Sequence, residues 1–213
     1  MSAIAIKICG LSTAATLDAA VEAGADLVGF VHFPRSPRHV DLETGRALSA
    51  RAKGRTERVV LLVDPDDAAV AAAVEALDPD WIQLHGRETP ERVAAIRAAT
   101  GRRVMKAIGV AGAADLAAVT AFAGRADRIL LDAKAPPGAA LPGGNGHAFD
   151  WELLGGAVLP ADYMLSGGLT PDTVATALAR TGARAVDVSS GVETRSGEKS
   201  AARIAAFIAA ARG

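Results

Sequence analysis

One cysteine stands in a chain of 213 residues. No disulfide can form within it, and a thiolate-rich metal site cannot be built. Its 4 histidines fall at no metal-ligand spacing, so no metal is expected. Charge of one sign is equally scarce. The formal net charge is -1, and no basic stretch interrupts the chain, which argues against nucleic acid or an anionic membrane surface as partner. No apolar run reaches the roughly 18–20 residues of a membrane span. A basic segment followed by an apolar run and a cleavage site is also missing at the start, so a cytoplasmic protein is expected. No linker or change of composition divides the sequence, which predicts one domain over 1–213. Half of the residues are apolar and 22% are charged, and the length is enough to bury a core.

What the sequence does have is alternation. Short aliphatic or β-branched runs occur at 3–8, 26–31, 58–63, 80–85, 102–108, 127–132, 162–167 and 184–190. Between them lie Ala-rich stretches with helical periodicity, among them 13–23, 66–77 and 90–99. Thr13, Thr89 and Thr170 mark helix starts, the last two followed by proline; Gly24, Asp78-Pro79 and Thr100-Gly101 mark ends. Strand–helix–strand repetition predicts a parallel sheet with right-handed crossovers. About eight such units fit a closed (β/α)8 TIM barrel of α/β class. The competing open doubly wound sheet would carry a G-x-G-x-x-G turn after its first strand, where this chain has "CGLS".

In such a barrel the chemistry sits at the C-terminal strand ends, and these ends are unusually polar. Strand 1 runs "IKICG", so Lys7 and Cys9 share one face and Ile6 and Ile8 the other. The apolar pair belongs against the helices, which turns Lys7 and Cys9 inward. Cys9 reads either as a small buried hydrophobe or, beside a cation, as a reactive thiol. Strand 8 holds Asp187 in apolar company. A buried carboxylate needs a partner, and Lys7 on the neighbouring strand of a closed barrel is the candidate. Strand 6 ends at Asp132, a site acid or a helix cap; strand 4 ends at His85, a substrate contact or a satisfied strand-end histidine. Arg35 and Arg38 follow strand 2, each just after a proline.

The last two strand-end loops, "SGGLTPDTV" and "SSGVETRSGEKS", are rich in small residues. They expose backbone N–H groups near helix N-termini, which predicts a phosphate cradle of Gly167, Gly168, Ser189, Ser190 and Gly191. The longest irregular stretch, 133–148, follows Asp132 directly and is expected to be a lid over substrate.

The set of motifs "KICG", "GADLVGFVHFPRSPR", "QLHG", "LLDAK", "GGNGHAFDW", "LSGGLTP" and "VDVSSGVE" resembles the phosphoribosylanthranilate isomerase family of tryptophan biosynthesis, in family order over nearly the whole chain. One departure is Asp64, where the family often has Asn. The resemblance implies a cofactor-free Amadori rearrangement of N-(5'-phosphoribosyl)anthranilate to 1-(2-carboxyphenylamino)-1-deoxy-D-ribulose 5-phosphate. It implies Cys9 as general base, Asp132 as general acid, and Arg38 as holder of the anthranilate carboxylate. Lys7, His85 and Asp187 are expected as further substrate contacts and the two Gly/Ser loops as the phosphate grip. The substrate is a small phosphosugar, and a monomer is expected. Other readings are a histidine-pathway isomerase, which would place a carboxylate where Cys9 stands, indole-glycerol-phosphate synthase, which would use a Lys/Glu acid–base set, or a non-catalytic barrel that binds a phosphorylated ligand.

Overall fold

Eight β-branched and aliphatic runs form strands and close on one another. In the computed structural model, which describes residues 4–135, 138, 143 and 149–213, they are β1 Ala5–Cys9, β2 Leu27–Val31, β3 Glu57–Leu62, β4 Trp81–Leu84, β5 Arg103–Val110, β6 Arg128–Ala133, β7 Met164–Leu165 and β8 Ala185–Val188. They pair in parallel in sequence order, and β8 returns to β1, giving the closed barrel. Helices α1 Ala14–Glu22, α2 Leu42–Ala52, α3 Asp67–Leu77, α4 Pro90–Thr100, α5 Ala113–Ala117, α6 Val174–Thr181 and α7 Ala201–Arg212 lie between or after them. Several begin as their sequences dictate. Thr13, Asp41, Asp66, Thr89 and Ser200 each accept a first-turn backbone N–H. Asp78 and Gly101 end α3 and α4 in the left-handed conformation. Among the described residues no helix is long and apolar enough to cross a membrane.

Alternation along the strands sorts the side chains into two sets. Ile6, Ile8, Val28, Phe30, Val60, Ile82 and Leu84 point outward into the main core under the helices. Leu27, Val59, Trp81, Met105, Leu130 and Met164 point inward and plug the lower barrel. Above that plug the interior turns polar: Lys7, Gln83 and Asp187 are buried there, below Cys9 and Asp132 at the mouth.

The alternation is less strict than the sequence suggests. Among the described residues, β6 and β7 are connected by a 3₁₀ turn at Trp151–Gly156 and no α-helix; Pro160 and the glycines at 155 and 156 offer poor helix material. The strand expected over 162–167 pairs only at 164–165. Helix α6 begins after Thr173, three residues beyond the expected cap at Thr170: the Thr173 hydroxyl accepts the Thr170 N–H, making a separate turn first. Beyond β8, a 3₁₀ turn (Ser190–Val192) leads into a small hairpin of β9 Glu193–Arg195 and β10 Glu198–Lys199 before α7.

Candidate active site

Cys9 is the last residue of β1 and lines a cavity at the barrel mouth. Lys7 and Asp187 are register partners on β1 and β8, and their side chains form a buried ion pair of 2.7 Å. This is the pairing expected from the sequence. Burial alone would lower the Lys7 pKa, but Asp187 and the Cys9 thiol outweigh it and hold the ammonium above its ordinary value. For Cys9 burial wins: it pushes the thiol up although Lys7 and Lys199 pull it down. Gly29, the register neighbour of Cys9, makes room, since a Cβ there would lie 3.1 Å from Sγ and 3.2 Å from the Lys7 Nζ. Asp187 reaches the cavity wall; Lys7 does not, because it is fully buried beneath the thiol. Lys7 thus lies in the layer beneath Cys9, paired with Asp187.

Asp132 and His85 face one another at the ends of β6 and β4, with Nε2 and Oδ2 3.3 Å apart. His85 Nδ1 meets the amide nitrogen of Gln83 at 3.1 Å. That nitrogen can only donate, so Nδ1 accepts and the proton of a neutral ring sits on Nε2, facing Asp132. Among the described residues the Gln83 Oε1 is buried without a partner, and Gln83 lines the cavity. Gly143 lies directly against this pair: a Cβ on it would come within 2.5 Å of Asp132 Oδ2 and 2.6 Å of His85 Nε2. Most of the expected lid, at 136–137, 139–142 and 144–148, lies outside the described residues.

Gly167, Gly168, Ser189 and Ser190 line the same cavity, whereas Gly191 does not. Gly191 instead lets the two loops interlock, because a Cβ there would strike the Leu169 carbonyl. Gly167 and Gly168 both have positive φ, which leaves them free of side-chain strain. Arg38 lines the cavity as well, with its Nε and Nη2 donating to Glu193 at 2.7 and 2.9 Å. Glu193 also receives the Lys199 ammonium at 2.7 Å. Burial opposes ionisation of Glu193, but Arg38 and Lys199 overcome it and hold its carboxyl below the usual range. Gly10, with φ +78, completes the corner; a Cβ on it would meet Arg38 Cδ at 2.7 Å.

Sequence reasoning missed Gln83, Gly143, Glu193 and Lys199. Gln83, Gly143 and Glu193 lay inside quoted motifs; Glu193 takes its meaning from Arg38, on a distant element. Asp64, the odd residue after β3, also has a defined place. It adopts φ 46, and its carboxylate accepts the Arg87 N–H at 2.6 Å, tying the third strand-end loop to the fourth. An Asn oxygen can accept the same bond and tolerates the same backbone.

A model of the N-(5'-phosphoribosyl)anthranilate isomerase family matches residues 6–210. The chain belongs to this family. It is 62% identical over 210 residues to the N-(5'-phosphoribosyl)anthranilate isomerase of Azorhizobium caulinodans, covering 99% of this chain and 92% of that protein. It is 56% identical to a relative of the same name from Rhodopseudomonas palustris, covering 98% and 96%. Among solved structures it superposes on the phosphoribosyl anthranilate isomerase of Thermotoga maritima with TM-score 0.83 at 34% identity, covering 99% of both chains. A phosphoribosyl anthranilate isomerase in complex with reduced 1-(o-carboxyphenylamino)-1-deoxyribulose 5-phosphate matches with TM-score 0.81 at 32% identity, again over 99% of both. The barrel is thus that of the isomerase family, an aldose–ketose isomerase fold serving tryptophan biosynthesis.

Proposed function

We propose that the chain isomerises N-(5'-phosphoribosyl)anthranilate in this cavity, with Cys9 as general base and Asp132 as general acid. A single observation carries the reading: the thiol and the carboxyl open into one cavity whose rim is formed by Gly167, Gly168, Ser189 and Ser190. Asp132 donates a proton to the ribose ring oxygen as the C1'–O bond breaks, and the anthranilate nitrogen lone pair forms the C1'=N iminium. Cys9 thiolate then removes the C2' proton. The electrons of that C–H bond form the C1'=C2' bond, and the iminium π pair returns to nitrogen. The enol so formed tautomerises to the ketone. The iminium is the electron sink, so the step asks nothing of a cofactor.

The Gly/Ser rim supplies backbone N–H groups for the phosphate. Arg38, the cation on the β2 side of the cavity, is suited to the anthranilate carboxylate. His85 and Asp187 line the wall where the sugar hydroxyls would lie. The raised thiol pKa means that Cys9 must give up its proton to act, helped by Lys7 and Lys199. A monomer is supported by the surface: among the described residues Val158 is the exposed large hydrophobic side chain. A reducing cytoplasm suits an unpaired thiol.

The test is turnover of freshly generated phosphoribosylanthranilate, followed by loss of anthranilate fluorescence, with Cys9→Ala and Asp132→Asn beside the wild type. Each variant should lose about 10²- to 10⁴-fold in kcat with little change in binding. Near-normal turnover in either would remove its assigned role.

A further inference from the structure

We infer that Lys199 is a positioning residue of this site, fixing the phosphate loop through Ser189 and the Arg38 side chain through Glu193 at the same time. The inference rests on the reading of loop 189–190 as phosphate grip and of Arg38 as carboxylate holder.

The Lys199 side chain is 1% exposed, and it does not line the cavity. Its ammonium donates to the Ser189 carbonyl at 2.8 Å, the Ser189 hydroxyl at 3.1 Å and the Glu193 carboxylate at 2.7 Å. An ammonium has three donors, and these bonds engage all of them. The partners are not equivalent to packing. The Ser189 hydroxyl in turn donates a hydrogen bond to the Cys9 carbonyl at 3.1 Å, and Glu193 holds the Arg38 guanidinium through two nitrogens. One buried cation is therefore joined by hydrogen bonds to the phosphate rim, to the carboxylate-binding arm and to the backbone of the base.

The hairpin that carries Lys199 is docked on the Arg38 loop. Its tip, Gly197, has φ +84 and lies so close to Pro37 that a Cβ would sit 2.5 Å from the Pro37 carbonyl. The Gly197 N–H also donates to Glu193. Burial lowers the Lys199 pKa, and Glu193 opposes this. Were filling space the sole requirement, a long apolar side chain would serve at lower desolvation cost. The three donors explain why an ammonium stands here.

The experiment uses Lys199→Met, which keeps length and removes charge and donors, and Lys199→Gln, which keeps donors, in the full chain. KM for phosphoribosylanthranilate and the inhibition constant of inorganic phosphate are measured for each, with thermal melting alongside. In Lys199→Met both constants should rise about tenfold or more, with a smaller fall in kcat, since displaced binding groups act on ground-state affinity. Lys199→Gln should recover part of the loss. A folded Lys199→Met with unchanged KM and unchanged phosphate inhibition, whatever its melting temperature, would overturn the inference and leave Lys199 a packing residue. Wild type that isomerises but ignores inorganic phosphate would instead sink the underlying phosphate-grip reading.

Discussion

Two buried lysines stand at the barrel mouth, each paired with a glutamate at nearly the same distance, and they do different things. Lys199 meets Glu193 at 2.7 Å and Lys106 meets Glu88 at 2.8 Å, all four side chains being buried. The partners of Lys199 are Ser189 and, through Glu193, Arg38, both of which line the cavity. The other partners of Lys106 are the carbonyls of Leu84 and Gly86. Glu88 accepts the N–H groups of Asp64 and Gly86. None of these lines the cavity. The same buried chemistry thus ties ligand-facing groups together on the β8–β1–β2 side and ties loop backbones together on the β3–β4–β5 side. A buried ion pair reveals its job by what its partners touch.

The strongest way to break this comparison is Lys106→Met. It leaves Glu88 buried without its cation, a loss of about 3–5 kcal/mol in stability, measured by denaturant unfolding. The folded fraction should keep its KM and kcat. A raised KM with stability intact would erase the distinction between the two lysines.

The pH profile sharpens the same contrast. A base works only when deprotonated, and burial pushes the Cys9 thiol above its ordinary value of about 8.5. Below that pKa the thiolate fraction grows about tenfold per pH unit. So kcat/KM should climb with pH into and beyond the ordinary thiol range. Lys199 pulls the thiol pKa down, so Lys199→Met should move the rising limb to higher pH. Lys106→Met should leave it in place. A flat profile from pH 7 to 9 would remove Cys9 as the titrating base.

Gly10→Ala tests the crowding on the active side. The backbone is at φ +78 and the new Cβ would meet Arg38 Cδ at 2.7 Å and Ser189 Oγ at 3.2 Å. Strain of about 1–3 kcal/mol is expected, and because the yielding atoms belong to Arg38 and Ser189, KM should rise. Gly101→Ala makes the control: it has positive φ but nothing within 4 Å of its would-be Cβ, so it should lower stability and leave KM alone.

These tests depend unequally on what could be seen before the structure. Strand-end residues were legible because two simple periods locate them. Side chains alternate, so Lys7 and Cys9 had to face inward, and barrel closure made β8 the neighbour of β1, which placed Asp187 beside Lys7. Local caps were legible for the same reason, as at Thr13 and Thr89. Helix α6 was displaced by three residues because the Thr170–Thr173 turn competes with the cap that a lone Thr-Pro suggests. The Lys199 and Glu193 pair was hidden in "GVETRSGEKS", which reads as a polar hairpin. Its meaning comes from Arg38, 155 residues away from Glu193 in sequence, and no local pattern carries that.

The smallest expected effect is at Asp64, where the resemblance leads to an expectation of Asn. Asp64 sits on the loop-binding side, and what it supplies is an oxygen for the Arg87 N–H and a backbone that accepts φ 46. An amide gives both. Asp64→Asn should therefore change stability by no more than about 0.5 kcal/mol and leave kcat/KM unaltered. Asp64→Ala is the informative partner, since it keeps the left-handed backbone and removes the acceptor, leaving the Arg87 N–H to solvent and straining a residue with φ above zero. It should cost about 1–3 kcal/mol, again without a change in KM. If Asp64→Asn alone lowered turnover, the negative charge itself would be acting on the site, and the β3–β4–β5 side could no longer be described as a brace for loops.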